Sequence, residues 1–293
     1  MADNIGNKAA HDYHLDIPAA QESFYVKGNA HCDWGMKNRL ARMFDPKSGN
    51  TVMLAFDHGY IMGPTAGLER IDVVIPPLIP HVNVLMGTKG MIRSCISPAA
   101  SVAKCVRVTY DSTVLYDDMS NGGGIACDID SAIRMNADCM AVQTFIGSAG
   151  ESRSLELLAR TADAGARFGI PTLGVVAVGK EMERTEKFFL LATRVLAENG
   201  ANIVKSYYCD GFEKVAAACP VPIVIAGGKK LPEMEALEMA YRAIQEGAHG
   251  VDMGRNIFQS DSPAGMAQAI GKVVHEGYTP RQAYEVYETV KNQ

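Results

Sequence analysis

A (β/α)8 TIM barrel of the α/β class, preceded by an N-terminal extension, is the fold this sequence predicts, and three observations predict it. Short, nearly unbroken apolar runs recur eight times between positions 51 and 254, and their starts lie about 28 residues apart, the span of one βαβ unit. The runs lack the polar alternation of a sheet with one wet face, so the strands are buried on both faces and the sheet is parallel. An amphipathic stretch follows each run, supplying the crossover helix. A chain of 293 residues holds one barrel of about 250 residues and an extension. A doubly wound open sheet is the alternative, weakened because no GxGxxG follows the first run.

The strands are read as 51–56, 81–86, 104–110, 139–145, 171–178, 202–208, 222–227 and 250–254. Among the helices, 151–167 sets Leu155, Leu158, Ala159 and Ala162 on one face. Pro232 followed by Glu233, Glu235 and Glu238 supplies an N1 proline and acids at the positive end of a helix dipole. Gly165, Gly169, Gly200 and Gly247 are read as helix C-caps, and Gly59, Gly87, Gly147, Gly179, Gly227, Gly228 and Gly254 as loop residues at the carboxyl ends of strands. The 28 glycines, an excess over common usage, therefore mark turns and not disorder. Residues 1–50 stand outside the repeat. They carry the only tryptophan, Trp34, and a basic amphipathic patch at 37–44, read as a short helix that covers one barrel end or meets a neighbouring subunit. The chain thus divides into an extension, 1–50, and a barrel, 51–293.

Charge excludes some functions. There are 28 Lys+Arg against 33 Asp+Glu, a net charge of −5, and no basic stripe, so neither a nucleic acid nor an anionic membrane is the expected partner. The apolar stretch 215–228 is 14 residues long with two prolines, too short and too broken to span a bilayer. The first residues lack the basic and apolar regions of a signal peptide, and the seven cysteines contain no CxxC, which together read as a cytoplasmic protein with reduced thiols.

In this fold the chemistry lies at the carboxyl ends of the strands. Lys205, inside Ile203-Val204-Lys205-Ser206, is the first suspect, because burying an ammonium is costly and favours the free amine that attacks a carbonyl to form a Schiff base. The plainer reading is a lysine at the strand rim snorkelling to solvent. Arg107 is the other cation read as buried mid-strand, either facing Lys205 or pairing with an acid in the helix layer. Asp57, ending the first strand in Phe56-Asp57-His58-Gly59, is an acid/base or an anchor for an amine; His58 could do the same work, and either could cap the turn. The last two strands end in Gly227-Gly228-Lys229 and Gly254-Arg255-Asn256, where paired backbone N–H groups and a guanidinium suit a phosphate. Lys89, Lys180, Lys229 and Lys230 follow strands and are read as solvated or anion-greeting. His11 and His14 lack a third ligand at regular spacing, so no metal site is expected. Cys209 is read as a small buried hydrophobe before an acyl-carrying thiol, and 121–124 as a turn.

Phe56-Asp57-His58-Gly59, Ile203-Val204-Lys205, Ala226-Gly227-Gly228 and 253–259 together resemble the class I aldolases of the archaeal fructose-bisphosphate and deoxyribose-phosphate group, over about positions 50–290. Stretches 51–60, 67–72 and 222–232, with Asp33-Trp34-Gly35-Met36, resemble more closely a thiolase branch of that family tied to autoinducer-2 catabolism. The resemblance implies that Lys205 forms the Schiff base, that Asp57 assists as acid/base, and that Gly227, Gly228, Gly254 and Arg255 cradle a substrate phosphate. It implies no bound cofactor or metal, coenzyme A as acyl acceptor, a phosphorylated diketone as substrate, and a homo-oligomer. One departure stands out: the aldolases carry Tyr-Pro-Arg-Gly after strand five, where this chain has 177–180, Ala-Val-Gly-Lys. A plain retro-aldolase on a phosphorylated sugar is the nearest rival, and a non-catalytic phosphosugar-binding barrel a rival of another kind.

Overall fold

The structure is a computed structural model that describes residues 12–18, 23–116, 123–177 and 183–293. The sequence readings on His11, Asn121, Gly122, Gly179 and Lys180 lie outside the described residues. Eight parallel strands close a barrel in chain order: β1 (Thr51–Ala55), β2 (Val84–Thr88), β3 (Ala103–Arg107), β4 (Cys139–Thr144), β5 (Thr172–Val176), β6 (Ile203–Tyr207), β7 (Ile223–Ala226) and β8 (Gly250–Met253). The ring closes where Thr51 pairs with Gly250 and Leu54 with Met253. Period-two alternation sends Met53, Ala55, Met86, Cys105, Val175 and Val224 into the barrel, and Val52, Leu54, Val106, Val204 and Ile225 outward under the helices.

One mouth is stopped. The helix Trp34–Met43 starts where Asp33 accepts from the Met36 N–H at 2.8 Å, and buries Met36, Leu40 and Met43 against the lower end of the inner core. Arg42 pairs with Asp138 at 2.9 Å, and Arg39 donates to the carbonyls of Ala137 and Gly169. Those partners precede β4 and β5, so the helix covers the amino-terminal mouth and leaves the carboxyl end for chemistry. Trp34 itself stays exposed.

Several sequence readings are corrected. The second strand begins at Val84, three residues later than read, because Pro76–His81 winds as a 3-10 turn containing Pro80. The third ends at Arg107, where Val108 leaves the ladder; Thr109–Tyr110 instead pairs antiparallel with Gly124–Ile125. Gly87 lies within β2, where a Cβ would stand 2.6 Å from the Phe56 ring. Gly165 lies inside the helix Glu151–Phe168, where a side chain would strike the Ile170 carbonyl, and Gly169, at φ +68°, caps it. That helix is also rotated from the expected face, leaving Leu155 and Ala159 half-buried and burying Ser154, Leu157, Leu158, Thr161 and Ala162. On that face the Ser154 hydroxyl accepts from the Phe145 N–H just after β4 at 3.1 Å.

Candidate active site

Inward alternation along β6 brings Ile203, then Lys205, to the barrel interior, with Lys205 in register between Val175 and Val224. Its side chain crosses the barrel and does not snorkel. Nζ lies 2.9 Å from Asp252 Oδ2 and 3.7 Å from Met86 Sδ on β2, and the side chain is 11 % exposed. Asp252 is the functional candidate that sequence reasoning missed. It sits in Gly250-Val251-Asp252-Met253, a carboxylate within an apolar strand, wholly buried, and its Oδ1 has no hydrogen-bond partner among the described residues. Burial pushes the Asp252 carboxyl above its usual range, Asp57 adds to that, and the Lys205 ammonium opposes it.

Arg107 points into the barrel too, and its partner is Asp57, not an acid of the helix layer. Nε and Nη2 each approach Asp57 Oδ2 at 2.8 Å, with both side chains buried. Burial alone would raise the Asp57 carboxyl; the charges of Arg107, Lys205 and His58 outweigh it and hold Asp57 below the ordinary carboxylate range. Asp57 is therefore an ionised anchor. Tyr60, whose ring centre lies 5.4 Å from the Arg107 guanidinium carbon, has its hydroxyl pushed up to about 12, mainly by burial, and so remains a proton-bearing donor.

The loops after β7 and β8 lie side by side, tied by buried Asn256, which donates to the Gly227 carbonyl and accepts from the Leu231 N–H, both at 2.8 Å. Gly227 and Gly254 leave room for neighbours: a Cβ on the first would sit 2.8 Å from Asn256 Nδ2, and on the second 2.6 Å from His58 Cε1. Gly228 takes φ +68°, and a Cβ there would meet no atom nearer than 3.5 Å, so its backbone is open to a ligand. Arg255 is half-buried and its buried Nε has no partner among the described residues.

Other expectations resolve differently. Lys230 is held by Glu233 at 2.7 Å and the Leu231 carbonyl, while Lys229 is exposed. Burial, reinforced by Glu186, Asp210 and Glu246, pushes the buried Cys209 thiol up to about 11, which keeps it protonated and unreactive at neutral pH. Among the described residues, no group of three or more His, Cys, Asp or Glu side chains is placed to hold a metal ion.

Lys205 and its counter-ion Asp252 lie inside a closed parallel barrel, whose carboxyl ends carry the Gly227–Gly228 and Gly254–Arg255 loops. The chain belongs to the DeoC/LacD aldolase family, whose sequence pattern matches residues 51–260. It is 50% identical over 293 residues to the 3-hydroxy-5-phosphonooxypentane-2,4-dione thiolase of Salmonella typhimurium (strain LT2), covering 100% of both chains. It is 51% identical over 288 residues to the thiolase of the same name from Escherichia coli O139:H28, covering 98% of each. An uncharacterised aldolase of Pasteurella multocida is 50% identical over 288 residues, 98% of this chain and 99% of the relative. Among solved structures, an archaeal fructose 1,6-bisphosphate aldolase superposes with a TM-score of 0.74 at 23% identity, covering 83% of this chain and 100% of that one, which places the two in one barrel fold.

Proposed function

We propose that this enzyme cleaves 3-hydroxy-5-phosphonooxypentane-2,4-dione and passes the acetyl group to coenzyme A. The observation that carries the reading is the Lys205–Asp252 pair inside a barrel about half identical, over its whole length, to thiolases of that name. Lys205 condenses with the keto group next to the phosphate-bearing carbon, and the iminium becomes the electron sink for cleavage of the adjacent carbon–carbon bond. Asp252 holds the amine in place and, with its raised affinity for protons, takes a proton from the ammonium to free the nucleophile. Asp57, clamped by Arg107, stabilises positive charge that forms near it, and Arg107 faces the substrate's oxygens with its unpartnered Nη1. Gly227, Gly228, Gly254 and Arg255 hold the phosphate. The products are acetyl-coenzyme A and the three-carbon dihydroxyacetone phosphate.

No metal or bound cofactor enters this chemistry; coenzyme A is a co-substrate. Among the described residues no helix is long and apolar enough to cross a membrane. A cytoplasmic homo-oligomer completes the proposal. A coupled assay tests the function: both acetyl-coenzyme A and triose phosphate form from the phosphorylated diketone only when coenzyme A is supplied. Triose phosphate and acetate released from the diketone without coenzyme A would make water the acceptor, and turnover of a phosphorylated sugar in place of the diketone would make the protein a retro-aldolase instead.

A further inference from the structure

His58 follows Asp57 in the loop after β1 and meets the loop after β8. Its ring packs edge-on against Phe258 with centroids 5.7 Å apart and an interplanar angle of 83°, and it occupies the space that the missing side chain of Gly254 leaves. Those contacts hold the ring against the β8 loop that carries Arg255, while its chain neighbour Asp57 is paired with Arg107. Its buried Nδ1 has no hydrogen-bond partner among the described residues. An imidazole held this firmly with a buried nitrogen unsatisfied is unexplained by folding alone.

We infer that the His58 imidazole is the base that takes the proton from the acceptor thiol during acyl transfer and returns it to carbon. The inference rests on the thiolase reading above. The thiol proton moves to an imidazole nitrogen as sulfur bonds to the acetyl carbonyl carbon. The bond from that carbon to the hydroxyl-bearing carbon then breaks, and its electron pair runs into the Lys205 iminium to give an enamine. The imidazolium returns its proton to the enamine carbon, and water hydrolyses the resulting iminium to release the three-carbon phosphate and the free lysine. No outside oxidant or reductant is needed.

Asp57 is poorly suited to that task, since its Oδ2 already accepts the Arg107 Nε–H and lies 2.8 Å from Nη2 in a buried ion pair. The charges facing His58 explain its fitness. Burial, Lys205, Arg255 and Arg107 disfavour the imidazolium and keep the ring a neutral base near pH 7, while adjacent Asp57 steadies the cation once it forms.

His58→Asn and His58→Gln test the role in the intact enzyme. Acetyl-coenzyme A formation should fall by about 100-fold or more, the scale of general-base catalysis. The acid limb of kcat/KM, lying below pH 6.5 in the unaltered enzyme, should flatten, while borohydride with the phosphorylated diketone alone still labels Lys205. Either variant within about threefold of full activity, with the acid limb intact, overturns the inference. So does loss of labelling together with activity, which would move His58 to imine formation or to structure. A flat kcat/KM across that limb in the unaltered enzyme overturns it with no variant needed. Failure of the unaltered enzyme to be labelled at Lys205 instead overturns the thiolase reading beneath it.

Discussion

Asp252→Asn keeps the shape of the side chain and removes its charge, leaving the Lys205 ammonium, 11 % exposed, without the counter-ion that stands 2.9 Å away. Breaking a buried ion pair from one side costs about 3–5 kcal/mol. An unfolding entropy of about 2.1 cal/mol/K per residue amounts to about 0.6 kcal/mol/K for this 293-residue chain, so Tm should fall by about 5–8 °C. Lys205→Met strands the opposite partner. Burial already raises the Asp252 carboxyl, and with the ammonium gone its folded-state value rises further above the unfolded one. Protonation then relieves the buried charge, and the loss of stability should be smaller at about pH 5 than at about pH 8. Removing both charges in Lys205→Met/Asp252→Leu should recover most of the loss. Thermal unfolding followed by circular dichroism at both pH values measures all three. Asp252→Asn within about 1 °C of the unaltered protein, or a double variant no better than the worse single one, would show that the pair is not desolvated.

Three further outcomes follow from the geometry. Leu40→Ala empties a site 1 % exposed at the stopped mouth and should lower stability by about 2–5 kcal/mol, yet leave kcat/KM per folded molecule unchanged because the site lies at the other end; denaturation and kinetics on one sample check both. Arg255→Gln should weaken competitive inhibition by inorganic phosphate about 10- to 150-fold, the worth of one charge-assisted hydrogen bond at about 1.5–3 kcal/mol, and an unchanged inhibition constant would remove Arg255 from the phosphate site. For Asp57 the folded-state carboxyl lies below its ordinary value of 3.8, so its contribution to stability is complete above that pH and is lost as pH falls through the folded value. In Asp57→Asn the acid end of the stability-versus-pH curve, followed by denaturant unfolding at a series of pH values, should accordingly be shallower.

Much of this was legible in the residues, for identifiable reasons. Strands buried on both faces leave an apolar signature that few other structures share, and Lys205 stood out because it broke that signature. Asp252 breaks it equally in β8. It escaped notice because residues 205 and 252 are distant in the chain, and only closure of the barrel shows that the two side chains meet across its interior. A buried cation demands a buried anion, and that demand alone would have led from Lys205 to Asp252. Arg107 reads from the sequence as buried mid-strand with both directions open, and its partner depends on which strands are neighbours at the top. The edges of elements were least legible: a 3-10 turn containing Pro80 precedes β2, and the helix 151–168 turns buried Ser154 toward the backbone after β4. Gly254 illustrates a different limit. Its place in a phosphate-like loop was readable, whereas the close approach of the Ala55 carbonyl and the His58 ring to where a Cβ would stand was visible only in three dimensions.

The central claim is that Lys205 forms the covalent intermediate, and one measurement addresses it directly. The intact enzyme is treated with borohydride in the presence of the phosphorylated diketone, without coenzyme A, and its peptides are mapped by mass spectrometry. The account predicts a reduced adduct on the peptide containing Lys205, absent without substrate and absent in Lys205→Met, which should also be inactive. An adduct on another lysine, or turnover by Lys205→Met, would contradict it.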